Sequence, residues 1–280
     1  MSSLSTVLWV AGAFCAFAWT ASLVSKDFSW VDRGWSIVPA AYVVIFAGFG
    51  HWNDARLNVM AVLAVTWGLR LTFNFARKGG YSGVEDYRWA VLRAKMNGWQ
   101  FQLFNLFFIV LYQNAILVLI ALPAYTAFQH RGSFTVLDGV LVAVFVVCLI
   151  GETVADQQQW NFHQNKAASL AAGRTPSAQF LQSGLFRYSR HPNYFFEIAQ
   201  WWVLFGFGAV AANCVLQWTV LGPVLLTLLF VGSTRFTESI TLSKYPPYAQ
   251  YQSTTSAVIP WRARRLSDSG VTAPNANDVN

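Results

Sequence analysis

Residues 184–211 read GLFRYSRHPNYFFEIAQWWVLFGFGAVA, and the fold is decided in this run. Its first half gathers Arg187, Tyr188, Arg190, His191, Asn193 and Glu197. From Tyr194 to Ala211 it is apolar apart from Glu197 and Gln200. That is close to the ~20 residues a helix needs to cross the hydrocarbon core of a bilayer. A polar cluster at the mouth of a membrane helix is costly unless a charged or highly polar ligand meets it. The run therefore predicts a membrane helix with a ligand site at its entrance.

Outward from it, the same apolar pattern recurs at about 4–24, 35–50, 57–75, 101–123, 135–151 and 214–231, which with 194–211 makes seven stretches. The chain of 280 residues is 55% hydrophobic and only 11% charged, against about a quarter charged in soluble domains. Its thirteen Trp and ten Tyr suit interfacial belts, a second sign of a bilayer. The expected fold is all-α: a polytopic membrane protein with seven transmembrane helices in one domain, 1–266, and a disordered polar tail, 267–280. Met1 to Leu23 holds no Lys or Arg, so the first stretch is expected to be a helix rather than a signal peptide. Cys15, Cys148 and Cys214 fall in apolar stretches, and buried thiols are expected rather than disulfides or a metal site.

Sixteen Lys and Arg fall on one side of such a layout. They are Lys26 and Arg33; Arg77, Lys78, Arg88, Arg93 and Lys95; Lys166, Arg174, Arg187 and Arg190; and Arg235, Lys244, Arg262, Arg264 and Arg265. The other side has Arg56 and Arg131, and Arg70 lies within the third stretch. The positive-inside rule then places the N-terminus outside (periplasmic) and the C-terminus in the cytoplasm, as in a bacterial inner-membrane protein. The net charge of +7 is mostly this topogenic excess, so nucleic acid is not the expected partner. Basic residues interleaved with Tyr, Asn and acids point to a cytoplasm-facing pocket for an anionic small molecule. Two connections, 76–100 and 152–193, are long enough to be functional, and Glu152 to about Ala172 reads as a polar helix.

The glycines Gly206-Phe207-Gly208 mimic a dinucleotide fingerprint but lack a preceding strand, so close helix packing is their reading. Glu152 and Asp156, like Asn193 and Glu197, are spaced i, i+4 and share a helix face. A carboxylate within a membrane helix is a functional candidate, and Glu197 is one. A buried Arg70 needs acceptors, and its planar fork suits phosphate or carboxylate. Asp32, before the second stretch, is a proton donor if burial raises its pKa, or an interface salt bridge with Arg33.

Gly184-Leu185-Phe186, Tyr188, Asn193, Glu197 and Trp201 resemble the C-terminal half of steroid 5α-reductases, and the resemblance extends to the bacterial DUF1295 membrane proteins grouped with them. Glu152-x-x-x-Asp156, Tyr245-Pro246, Ile259-Pro260 and the segment Phe28–Asp32 through Val38-Pro39 agree, with Asp32 at the position of that family's catalytic Glu. The resemblance implies hydride transfer from NADPH to the C4–C5 double bond of a 3-oxo-Δ4 steroid or similar lipid enone entering from the bilayer. It implies cofactor contacts from Asp156, His163, Tyr188, Asn193 and Glu197. Arg70, Arg88, Arg190 and His191 join them on chemistry, as donors to phosphates. Trp67 stands where the family has a Tyr, and an indole supplies no proton. Either Tyr87 substitutes, or Asp32 works alone, or the substrate differs. Trp35 and Trp67 are expected on the substrate side. Arg190-His191-Pro192-x-Tyr194, with Glu238, Tyr248 and Tyr251, also resembles the isoprenylcysteine carboxyl methyltransferases, which implies S-adenosylmethionine instead. A transporter would line a path to both faces, whereas the ionisable residues here crowd one.

Overall fold

The computed structural model describes residues 1–262; the expected tail, 267–280, lies outside the described residues, as do Arg264 and Arg265. Helices and short turns make up all the secondary structure among the described residues. They are α1 (Ser3–Ser25), α2 (Trp30–Gly34), α3 (Val38–Phe49), α4 (Ala55–Arg77), α5 (Tyr87–Lys95), α6 (Gly98–Phe104), α7 (Gln113–Gln129), α8 (Val136–Ala171), α9 (Pro192–Ala212), α10 (Leu221–Lys244) and α11 (Tyr248–Thr254). A π-helical segment, Asn105–Tyr112, joins α6 to α7 in one rod. Among the described residues, six helices are long and apolar enough to cross a membrane: Ser3–Ser25, Ala55–Arg77, Gly98–Gln129, Val136–Ala171, Pro192–Ala212 and Trp218–Lys244. The stretch expected at 35–50 forms the 12-residue α3, short of that length.

Local chemistry fixes where these helices start and stop. The Asp54 carboxylate accepts from Leu57 N at 2.8 Å and opens α4, while Thr135 and Asp138 make a reciprocal capping box for α8. Pro192 occupies the first turn of α9, where its missing N–H costs nothing, and Asn213 ends the helix in the left-handed region at φ 46. That stop leaves Cys214 in an exposed turn, its thiol toward Leu216 O, so it is not the buried thiol expected of it. Cys148 is buried and Cys15 half-buried, and all three are unpaired. The polar helix expected from Glu152 does not start anew; it prolongs α8 to 36 residues.

Two ion pairs set the register of α4 on α8. Arg56 grips Asp138 at 2.7 and 2.9 Å at one end, and Arg70 grips Glu152 and Asp156 at the other. Fourteen residues separate the two grips on either helix, roughly 21 Å of rise, so α4 and α8 run parallel. Helix α3 runs against α4, with Ser36 bonded to Thr72 at one end and Gly50 beside Leu57 at the other. Helix α9 opposes α8, Phe196 meeting Gly151 and Leu141 meeting Gly206. Trp67 and Trp201 cross edge-to-face at 4.8 Å in the centre of the core.

Pro123 inside α7 has no N–H to give Leu119 O. Gly222 of α10 packs on that carbonyl so closely that a Cβ would lie 2.4 Å from it, and Gly208 of α9 packs on Pro123 O from another side. Gly222→Ala is therefore expected to lower stability by about 1–3 kcal/mol, read by thermal unfolding in detergent; an unchanged midpoint would show that the contact yields freely.

Candidate functional site

One cavity of about 740 Å³ opens where the C-terminal end of α4, the middle of α8 and the N-terminal end of α9 meet α2, α5, α10 and the π segment. It has two unlike halves. The charged half presents Lys78, Glu152, Asp156, Asn193 and Glu197. The other half presents Leu92, Phe104, Phe108 and Tyr112, with Asp32 and Trp89 beside them.

In the charged half, Arg70 bridges Glu152 and Asp156, the latter at 2.5 Å. Gln200 donates to Glu152 Oε2 at 2.7 Å, and the Trp35 indole N–H donates to Glu197 Oε1 at 3.2 Å. Two of these three buried carboxylates thus hold one guanidinium, Lys78 Nζ stands 3.8 Å from Asp156, and Glu197 has only the Trp35 N–H among the described side chains. The guanidinium lies behind the cavity wall, its two terminal nitrogens taken by these acids and its Nε buried without a partner among the described residues. Asn193, next to Pro192 in the first turn of α9, makes no side-chain hydrogen bond to any described residue.

The α2–α5 corner is held by short polar links. Trp89 Nε1 donates to Asp32 Oδ2 at 2.8 Å, and Asp86 N donates to Ser29 Oγ at 2.9 Å. Arg88 clasps Asp86 and donates to Ser233 Oγ of α10 at 2.7 Å. Enclosure in the cavity wall, and then the neighbouring Asp86, push the Asp32 carboxyl up to about 6, with Arg88 and the Trp89 hydrogen bond opposing. Burial likewise pushes the Tyr87 phenol up.

A third cluster closes the site from the C-terminal side. Glu238 takes Arg190 at 2.6 and 2.9 Å, His191 at 3.0 Å, Gln252 at 2.9 Å and Tyr248 at 3.3 Å. Arg190 also donates to the Gln252 and Thr255 carbonyls, so α11 is strapped against the entrance of α9. His191 reaches the cavity and stacks on Tyr194 at 5.1 Å.

Of the residues singled out from sequence, Asp32, Trp35, Tyr87, Arg88, Asp156, His191, Asn193 and Glu197 line the cavity together. Arg70 and Arg190 stand behind it in ion pairs. His163 borders a separate outer pocket of about 330 Å³ with Trp160, Lys78 and Gln159; the last two also line the main cavity. Tyr188 is exposed, and its carbonyl accepts from Trp261 N. Trp67 is packed away against Trp201, 1% exposed, and does not reach the cavity. Lys78, Gln113 and Tyr194 line the cavity without having been singled out as site residues. Gln113 had a signal, since an amide in the middle of an apolar stretch invites the question of what meets it.

The family model for DUF1295, a protein of unknown function, matches residues 18–255. The chain belongs to the DUF1295 family. Among curated proteins, an uncharacterized fission-yeast protein (C594.04c of Schizosaccharomyces pombe) is 39% identical over 254 residues, covering 84% of this chain and 73% of that protein. No solved structure matches the chain. The match to the DUF1295 model takes in α2 through α10, so every wall of the cavity lies within it.

Proposed function

We propose that this DUF1295 protein is a membrane oxidoreductase that passes a hydride from NADPH to the C4–C5 double bond of a 3-oxo-Δ4 steroid or a similar lipid enone. The observation that carries the reading is that one cavity of about 740 Å³ is lined both by Lys78, Glu152, Asp156 and Glu197 and by Phe104, Phe108 and Tyr112, room for a polar cofactor end to meet a flat lipid. In the same reading α3 is a seventh, short span antiparallel to α4, compatible with local thinning of the bilayer. Alternate passes then put the N-terminus outside and the charged half on the cytoplasmic side, where Lys and Arg accumulate.

The residues suit the nicotinamide end of such a cofactor. Asn193 offers an unengaged amide, and Glu197 and Asp156 offer acceptor oxygens for a carboxamide and ribose hydroxyls. The phosphates fall to Lys78 and His163, which border the outer pocket, because Lys78 keeps only a long 3.8 Å contact to Asp156 whereas Arg70, Arg88 and Arg190 are each held close by a carboxylate. Bound there, NADPH supplies the hydride. The chain does the rest. A hydride arriving at the β-carbon of an enone leaves charge on the carbonyl oxygen, which needs a proton or a strong hydrogen bond. Asp32 carries that proton, its carboxyl oriented by Trp89 and kept from solvent by the ring wall.

The convergence of Arg190, His191 and Tyr248 on Glu238 supports a second reading. These residues carry the resemblance to the methyltransferases, and they meet in space. Ligand protection separates the two. NADPH is expected to raise the thermal unfolding midpoint of the purified protein saturably, with Asn193→Ala weakening its apparent affinity about tenfold. Protection by S-adenosylmethionine and not by NADPH would replace the reductase with the methyltransferase.

A further inference from the structure

The π-helical segment brings an unusual pair of features to the aromatic half of the cavity. Phe104, Phe108 and Tyr112 stack in a ladder, with centroids 4.9 and 5.4 Å apart and planes 19° and 23° from parallel. Such a ladder offers a flat apolar wall. At its inner end, directly after Tyr112, stands Gln113. Asn105 bonds Ser22 near the end of α1, and Gln113, eight residues on, lies roughly 10 Å further along the axis of the rod. Gln113 is only 4% exposed, lines the cavity, and makes no side-chain hydrogen bond to any described residue. Its neighbour Asn114, which does not line the cavity, has its NH2 group donating to Val110 O at 2.7 Å, while its Oδ1 is buried without a partner.

A carboxamide brings two donors and an acceptor, and burying it unmet costs about 1–3 kcal/mol. Whatever fills the inner end of the cavity must therefore carry a hydrogen-bonding group there. Long π segments are rare in helices and gather at functional sites, in keeping with a rod shaped to present these side chains.

We propose that Gln113 selects the lipid ligand by its leading end: the cavity takes a flat, rigid lipophile with an oxygen function at both ends, and Gln113 bonds the oxygen that goes in first. The proposal rests on the reading of this half of the cavity as the lipid side, and it needs no redox step.

Binding of two tetracyclic enones to the full chain in detergent, followed by tryptophan fluorescence without nucleotide, tests it. One is androst-4-ene-3,17-dione and the other androst-4-en-3-one, which lacks the second oxygen. The dione is expected to bind about tenfold more tightly to the native protein. Gln113→Met keeps the volume and removes the hydrogen bonds. It is expected to bind both compounds equally, with an unfolding midpoint no lower than native. Equal binding by the native protein would mean that water alone satisfies Gln113 and would overturn the proposal. So would a preference that survives in Gln113→Met, or binding of neither compound. Preferential binding of the dione, with no NADPH consumed when the nucleotide is then added to that complex, would instead sink the reductase reading and leave the role of Gln113 standing.

Discussion

Asp32→Asn is expected to reduce turnover of a lipid enone by about 10²–10⁴-fold while leaving protection by NADPH unchanged. The asparagine keeps an oxygen to accept from Trp89 Nε1, so the corner of α2 and α5 should hold its shape. What it loses is the transferable proton. The pH profile follows with a definite sign. Enclosure and Asp86 raise the Asp32 carboxyl to about 6, so its protonated fraction grows as pH falls through 6 and shrinks about tenfold per unit above it. Turnover by the native protein is expected to track that fraction, rising from pH 8 to 6 and levelling below, with no such rise in Asp32→Asn. A bound lipid that excludes water would shift the midpoint further upward. Native turnover that is flat between pH 5 and 8, or Asp32→Asn with native rates, would remove Asp32 from the chemistry and leave Tyr87 to be tried next.

The helices were legible because a membrane span is an apolar run of fixed length, and that is a property of sequence alone. Their ends were less so. The polar helix from Glu152 to about Ala172 was legible, but not that it continues 135–151 without a break, because the change from apolar to polar composition at Glu152 looks like an end. The shortness of α3 was hidden for the converse reason, since the apolar Trp35 and Ile37 lie in the turn before the helix. At the site, the i, i+4 pairs were legible, and Asp156, Asn193 and Glu197 do line one cavity. The partners of the arginines were not legible. Arg70 meets acids 82 and 86 residues away, and Arg190 meets Glu238 48 residues away, so each looked free in the sequence. The π segment left no trace either, because the hydrogen-bond shift that makes it is a property of the rod and its neighbours.

Arg70 offers the second large effect, because removing it strands two buried carboxylates. Arg70→Met is expected to cost about 3–5 kcal/mol of folding stability, the penalty for breaking a buried ion pair from one side. Glu152 and Asp156 would then face Glu197 across the cavity with only Lys78 to balance them. Neutralising one acid should recover much of the loss: in the double variant Arg70→Met with Glu152→Gln, Gln200 keeps an amide oxygen as its acceptor. The same experiment bears on the cofactor. If Arg70 acts only as the clamp between α4 and α8, the double variant should bind NADPH within a few-fold of native once folded. If Arg70 leaves its acids to grip a phosphate, the double variant should regain stability and still bind NADPH about 10²-fold more weakly. Unfolding midpoints and nucleotide titration on the two variants separate these outcomes. An Arg70→Met protein as stable as native would mean that the paired carboxylates are already protonated, and that the guanidinium is not what holds α4 in register with α8.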